Sequence, residues 1–109
     1  MMKHSELTGF RRAIEAVVAD PETPDLTMRQ FSVLLYAAQH ESPAGPSVGV
    51  MADALRIHKP AVTRAIDRLQ EHELLIAIRS PLDRRKIEVS PTKAGRAYLD
   101  AFGRALKGA

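Results

Sequence analysis

The sequence contains no cysteine and no tryptophan, and aromatic residues make up only 5% of its 109 residues. Without cysteine there are no disulfides, no thiolate chemistry and no cysteine-based zinc site. No apolar run approaches the roughly 18 residues of a membrane span, and the N-terminus lacks the apolar stretch of a signal peptide. These absences predict a soluble, cytoplasmic protein with a core of Ala, Leu, Ile and Val.

Charged residues are plentiful and unevenly distributed. Lysine and arginine number 16 against 13 acidic residues, a formal net charge of +3. This modest excess permits a nucleic-acid partner but does not require one, so the positions of the charges carry more information than their sum. The basic side chains concentrate in one region: Arg56, Lys59, Arg64, Arg68, Arg79, Arg84, Arg85 and Lys86.

The length is typical of one domain, so residues 1–109 are predicted to form a single domain. Residues 4–20 are predicted to be an N-terminal helical segment with Ser5 as its N-cap. The stretch between residues 20 and 25 contains two prolines and ends this helix. Apolar residues recur along it at steps of three and four: Leu7, Phe10, Ile14, Val17 and Val18.

A second helix is predicted where Thr27 and Gln30 have the spacing of a capping box. It runs to about His40 and is followed by a loop at residues 41–46. Its expected buried face is formed by Phe31, Leu34, Leu35 and Ala38.

A short helix and a longer basic helix are predicted next. Ser47 is the expected N-cap of a helix at residues 48–55, and residues 56–58 form a tight connection. The helix at residues 59–71 has Pro60 in its first turn, where the missing amide does no harm. Its inward face is predicted to be Val62, Ile66 and Leu69.

The remaining chain is predicted to form a β-hairpin and a last helix. Residues 74–79 and 85–90 are the expected strands, with a turn at residues 80–84 and basic residues at its tip. Residues 91–109 are a C-terminal helical segment, capped by Thr92 or Ser90. Its apolar stripe comprises Ala94, Ala97, Tyr98, Ala101, Phe102, Ala105 and Leu106.

The order α-α-α-α-β-β-α describes a winged helix-turn-helix, a mainly α fold with a small β-hairpin (α+β class) and a core at residues 27–90. The major groove of B-DNA admits one helix, which needs an apolar back and a small, cationic front. The helix at residues 59–71 has both, and the basic hairpin after it fits a wing that contacts phosphates or the minor groove. The residues predicted to bind double-stranded DNA are His58, Lys59, Pro60, Ala61, Thr63, Arg64, Arg68, Arg79, Asp83, Arg84, Arg85 and Lys86.

Plainer interpretations stay open. An amphipathic helix with a charged outer face is usually only a surface helix, and edge strands often carry basic residues to block aggregation. Arg64 and Arg68 either contact guanine edges or hold phosphates. A winged-helix protein-protein adaptor without DNA binding is the alternative function, because a fold does not determine a function.

An ordered set of short motifs covers about two-thirds of the chain. The motifs are Leu26-Thr27 with Gln30 and Leu34, Met51-Ala52-Asp53-Ala54-Leu55, Val62-Thr63-Arg64, Ile66-Asp67-Arg68-Leu69, Ser80-Pro81-Leu82-Asp83-Arg84-Arg85 and Thr92-Lys93-Ala94-Gly95. Together they resemble the multiple antibiotic resistance regulator (MarR) family. The resemblance implies a DNA-binding transcriptional regulator, and a repressor is expected.

By resemblance, residues 61–68 are recognition-helix positions and residues 83–85 are the wing tip. Asp83 would then pair with Arg85 and hold the loop, which leaves Arg84 or Lys86 freer to contact DNA. The chain departs from the family pattern at two places. Glu73 stands where the family usually has glycine at the end of the recognition helix, and Ala77 stands where it commonly has arginine.

A homodimer is expected, because regulators of this kind bind two half-sites. Family members usually carry a longer C-terminal helical region that encloses a small-molecule pocket, and this pocket is expected to be missing here. Core packing within one subunit is the alternative for the two terminal apolar stripes. The predicted dimerisation residues are Leu7, Phe10, Ile14, Val17, Tyr98, Ala101, Phe102 and Leu106.

Enzymatic chemistry finds no support in the sequence. No glycine-rich phosphate loop and no nucleophile elbow are present, and the four histidines have no metal-ligand spacing. We therefore predict no catalytic residue, metal or cofactor. A regulator that also senses a small-molecule effector is a third interpretation, in which Phe31, Tyr36 and His40 would line a pocket, although core packing is preferred for them.

Overall fold

The computed structural model describes residues 1–41 and 45–108. Within these residues the element order is α-α-α-α-β-β-α, as predicted. Residues 42–44 of the predicted loop and residue 109 of the C-terminal segment lie outside the described part of the chain. The elements are α1 His4–Ala19, α2 Met28–Gln39, α3 Val48–Leu55, α4 Lys59–Glu71, β1 Leu75–Arg79, β2 Ile87–Pro91 and α5 Lys93–Lys107.

The chain forms two compact units. Residues 26–96 make up the first, which we call the winged-helix unit. Residues 1–25 and the residues from 97 onward make up the second, which we call the terminal-helix unit.

The core of the winged-helix unit is built by three helices and the hairpin. The inward face predicted for α4 is confirmed, and Ala65 joins it. The face predicted for α2 is partly wrong, because Leu34 is fully buried whereas Leu35 is 39% exposed. Helix α2 packs against α3, α4 and β2, and this buries the arc that contains Val33 and Ala37. The core residues are Val33, Leu34, Ala37, Met51, Ala52, Val62, Ala65, Ile66, Leu69, Leu74, Leu75 and Val89.

Side-chain caps fix most of the helix starts. Thr27 accepts a hydrogen bond from the Gln30 amide at 3.1 Å, and the Gln30 side chain accepts one from the Thr27 amide at 3.0 Å. Ser47 caps α3 by accepting from the Val50 amide at 3.2 Å. The prediction for Ser5 is wrong, because α1 already begins at His4 and Ser5 lies inside its first turn.

The hairpin is a two-stranded antiparallel sheet in which Leu75 pairs with Pro91 and Arg79 pairs with Ile87. Strand β2 begins two residues later than predicted. The reason is that Lys86 still belongs to the turn, where its amide donates to the Asp83 carbonyl at 2.9 Å.

The terminal-helix unit brings α1 and the C-terminal part of α5 together. A side chain at Gly9 would stand 2.8 Å from the carbonyl oxygen of Leu106, so this close approach requires glycine. The Arg12 guanidinium donates to the Ala105 carbonyl at 3.2 Å. The Tyr98 hydroxyl donates to the Pro24 carbonyl at 3.2 Å, and burial, helped by the charge of Asp25, raises the pKa of this phenol above its usual value.

None of the helices described here combines the length and the apolar character needed to cross a membrane.

Candidate nucleic-acid interface

Helix α4 is positioned by a tight connection from α3. Arg56 takes the left-handed conformation, with φ of 57°, and the Ile57 amide donates to the Ala52 carbonyl at 3.1 Å. His58 is the N-cap of α4, with extended backbone, and Pro60 lies in the first turn. The two helices of the helix-turn-helix are therefore held by the backbone of the turn itself.

The outer face of α4 is polar and cationic, as the sequence predicted. His58, Lys59, Pro60, Thr63, Arg64 and Arg68 are exposed, and Ala61 is half-buried. Arg64 and Arg68 are four residues apart and so lie on one face of the helix. Arg68 pairs with Glu71 at 3.0 Å, whereas none of the described carboxylates forms an ion pair with Arg64.

The end of α4 shows how the chain tolerates the departure at Glu73. This residue takes the left-handed conformation with φ of 61°. The Leu74 amide then donates to the Leu69 carbonyl at 2.8 Å and the Glu73 amide to the Gln70 carbonyl at 2.9 Å, so these two carbonyls near the end of the helix are satisfied. The chain leaves this turn directly into β1.

The hairpin tip is held by a buried serine. Ser80 is only 4% exposed, and its hydroxyl accepts hydrogen bonds from the amides of Leu82 at 3.2 Å and Asp83 at 3.3 Å. Ser80 lies in the predicted turn, but no role was predicted for it. A small polar residue beside Pro81 is typical of such turns, so the sequence contained an indication that Ser80 stabilises the turn.

The acidic residue of the tip pairs as the resemblance implied. Asp83 accepts from the amide of Arg85 at 3.1 Å and from its Nε at 3.2 Å. Hydrogen bonds from Arg85 lower the pKa of the Asp83 carboxyl below its usual value of 3.8. The bond from the guanidinium has the largest effect, and the bond from the backbone amide has the second largest. Asp83 is therefore ionised at neutral pH and shapes the loop.

The predicted wing contacts separate into two groups. The guanidinium of Arg79 donates to the backbone carbonyl of Arg84, and Arg85 is engaged with Asp83. Arg84 and Lys86 are exposed, and within residues 1–41 and 45–108 no hydrogen bond or ion pair holds their side chains. These two cations are thus directed to solvent by a tip that the other residues fix.

A groove of about 270 Å³ lies between the start of α2 and α4. Its lining includes Arg29, which is not among the predicted DNA-binding residues because Thr27 and Gln30 beside it indicated only a helix cap. The complete lining is Thr27, Arg29, Gln30, Ala61, Arg64, Ala65 and Arg68.

All of the predicted DNA-binding residues belong to the winged-helix unit, and all of the predicted dimerisation residues belong to the terminal-helix unit. Leu7, Phe10 and Ile14 are 52%, 40% and 54% exposed. Among the remaining predicted dimerisation residues, Ala101 is exposed and the others are half-buried: Val17, Tyr98, Phe102 and Leu106.

The aromatic residues considered for an effector pocket lie on α2 and at its end. The rings of Tyr36 and His40 stack with centroids 3.9 Å apart, and the Nδ1 of His40 is 2.9 Å from the Tyr36 carbonyl. Phe31 is half-buried. Among the described residues, no group of His, Asp or Glu side chains has the arrangement of a metal site.

Comparison with known proteins agrees with this geometry. The model of the MarR family matches residues 25–86, which is more than half of the chain. The chain therefore belongs to the MarR family of winged-helix regulators. This family consists of transcription regulators and not of enzymes. No curated protein sequence matches the chain.

Solved structures share the fold at low sequence identity. The chain resembles MepR of S. aureus in its DNA complex with a TM-score of 0.76 and 21% identity, covering 96% of this chain and 78% of MepR. YusO of Bacillus subtilis gives 0.72 and 22%, covering 95% and 66%. The transcriptional regulator Tm0710 of Thermotoga maritima gives 0.72 and 20%, also covering 95% and 66%.

Proposed function

We propose that this protein is a sequence-specific regulator of transcription that binds double-stranded DNA, with α4 in the major groove and the hairpin as a wing on the backbone or the minor groove. The observation that carries the proposal is the pairing of an exposed cationic face on α4 with a fixed basic hairpin in one compact unit. The fold shared with MepR, which was solved in complex with DNA, supports it.

The residues divide by chemistry. Arg64 pairs with none of the described carboxylates and is suited either to a guanine edge or to a phosphate. Ala61 and Pro60 are small enough for the first turn of α4 to approach the bases closely. Arg84 and Lys86 supply the wing contacts, because no hydrogen bond or ion pair among the described residues engages their side chains.

A homodimer is part of the proposal, with α1 and α5 as the interface. The apolar side chains exposed on α1 support it, since contiguous exposed apolar surface usually marks an interaction site. Sedimentation equilibrium tests this with Ile14→Asp, which is expected to give a monomer. Leu82→Asp is the matched control, because Leu82 is 94% exposed in the wing and its substitution is expected to leave the dimer intact.

We further propose that the protein acts in the cytoplasm as a repressor, by occupying its site on DNA and excluding polymerase. Transcription in vitro from a promoter that overlaps a bound site tests this role. Added protein is expected to lower the transcript level. A rise in the transcript would assign activation instead.

The DNA-binding proposal is tested by fluorescence anisotropy with random-sequence duplexes at several salt concentrations. Wild type is expected to bind with a steep log-log salt dependence, about −0.9 per phosphate contacted. Arg64→Glu is expected to abolish binding, and Arg104→Glu, an equal charge reversal in the terminal-helix unit, to retain it. Absence of wild-type binding at low salt would overturn the proposal in favour of an adaptor.

A further inference from the structure

The groove between the start of α2 and α4 brings three arginines together, and two of them form no ion pair among the described residues. Arg29 reaches it from α2, and Arg64 and Arg68 from successive turns of α4. Arg68 shares its charge with Glu71 on the exposed helix surface. Within the described residues no carboxylate pairs with Arg29 or Arg64, so the groove has a surplus of cationic hydrogen-bond donors.

The other lining residues leave this charge available to a ligand. Thr27 Oγ1 and Gln30 Oε1 accept the reciprocal capping bonds at 3.1 and 3.0 Å, so neither oxygen competes with a ligand for the arginine donors. Ala61 and Ala65 present only methyl groups, which leaves room between the arginines. Guanidinium groups around such a space match the oxygens of a phosphate, which they bind through paired N–H donors.

The position of the groove indicates where that phosphate comes from. The major groove is about 12 Å wide and a helix with its side chains is about 10–12 Å across. A helix that enters it therefore has its flanks against the sugar-phosphate walls. The basic groove of the protein lies on the flank of α4 that faces α2, and Arg29 extends the basic surface beyond α4 on this side.

We propose that this groove holds one phosphodiester of the bound duplex and that Arg29 is a phosphate-contacting residue. The inference rests on the proposed DNA-binding function and extends the interface from α4 and the wing to the start of α2. Arg29 contacts this phosphate from α2, and Arg64, which pairs with none of the described carboxylates, contacts it from α4, so that together they fix the depth at which α4 enters the major groove. Such a contact adds affinity for any sequence.

The test is the salt dependence of duplex binding by full-length Arg29→Gln. Loss of one phosphate contact is expected to reduce the log-log slope by about 0.9 per subunit, and to weaken binding roughly eightfold per subunit at 0.1 M salt. Arg29→Lys retains the charge and is expected to restore most of the slope. The matched control is Arg104→Gln, which removes the same charge from the terminal-helix unit and is expected to keep the wild-type slope.

A wild-type slope in Arg29→Gln, with wild type itself binding DNA, would overturn the inference while the proposed function stands. Saturable binding of inorganic phosphate, detected by NMR at the Arg29 amide, would in that case show that the groove serves a free anion. Failure of wild type to bind any duplex would overturn both proposals together.

Discussion

The hydroxyl of Thr92 donates a hydrogen bond of 2.6 Å to the backbone carbonyl of Glu73, across 19 residues of sequence. The same hydroxyl accepts a bond of 3.0 Å from the amide of Gly95 and so caps α5. Glu73 lies between the helix α4 and strand β1, whereas Thr92 lies between β2 and α5. One side chain thereby ties the two ends of the hairpin together, directly after the helix that we propose enters DNA.

Glu73→Gly is expected to stabilise the protein by about 1 kcal/mol. The left-handed conformation costs a non-glycine residue roughly 1–2 kcal/mol, and the flexibility of glycine in the unfolded chain offsets only part of this. Urea unfolding at fixed protein concentration measures the change. Gln70→Gly, inside α4, is the control and is expected to lower stability by about 1 kcal/mol. A less stable Glu73→Gly variant would show that the Glu73 side chain is itself required.

Thr92→Val is expected to lower the free energy of unfolding by about 1–2 kcal/mol. The substitution keeps the shape but removes both a helix cap and the donor to the Glu73 carbonyl. Thr92→Ser keeps the hydroxyl and should recover most of the loss in the same unfolding experiment. Equal stability of the valine variant and wild type would contradict the role assigned to this hydroxyl.

Arg79 and Arg84 are expected to differ in their effects on DNA binding, although both were predicted as contacts. Arg84→Gln should reduce the log-log salt slope by about 0.9 per subunit, since a phosphate contact is lost. Arg79→Gln should weaken binding by loosening the wing tip but leave the slope at its wild-type value, because its guanidinium is used on the Arg84 carbonyl. Equal loss of slope in both variants would make Arg79 a direct contact.

The Asp83 carboxyl is expected to titrate below 3.8 in the folded protein, since its pKa is lowered chiefly by Arg85. Because the pKa is lower in the folded than in the unfolded protein, the ionised carboxylate stabilises the folded state fully at pH values above the unfolded pKa. This stabilisation is lost as the pH falls through the folded pKa. The wing tip should therefore remain ordered at neutral pH and loosen only in acid. Carbon-13 NMR of the carboxyl measures the midpoint, and Arg85→Gln should move it toward 3.8. A wild-type midpoint at or above 3.8 would contradict the pairing.

Local signals predicted much of the fold. The capping pair of Thr27 and Gln30 and the serine at Ser47 depend on neighbouring atoms only, so the sequence was sufficient to place the starts of α2 and α3. The apolar spacing of Val62, Ile66 and Leu69 likewise identified the buried face of α4.

Long-range packing decided the features that the sequence did not reveal. The buried arc of α2 depends on which elements surround it, and this left Leu35 exposed and buried Val33 instead. The role of Arg79, by contrast, follows from a contact inside the turn, because its guanidinium donates to the Arg84 carbonyl and no spacing rule describes this bond. Arg29 gains its place in a basic groove only when α2 packs against α4.

Sequence-specific DNA binding is tested most directly by selection of bound sequences from a random duplex library with the full-length protein. A dimer with α4 in the major groove predicts enrichment of a near-palindrome with half-site centres about 10 base pairs apart, or a multiple of that spacing. The wild-type protein should enrich this site, and Arg64→Glu should not. Folded wild-type protein that enriches no sequence would contradict the claim that this protein is a sequence-specific regulator.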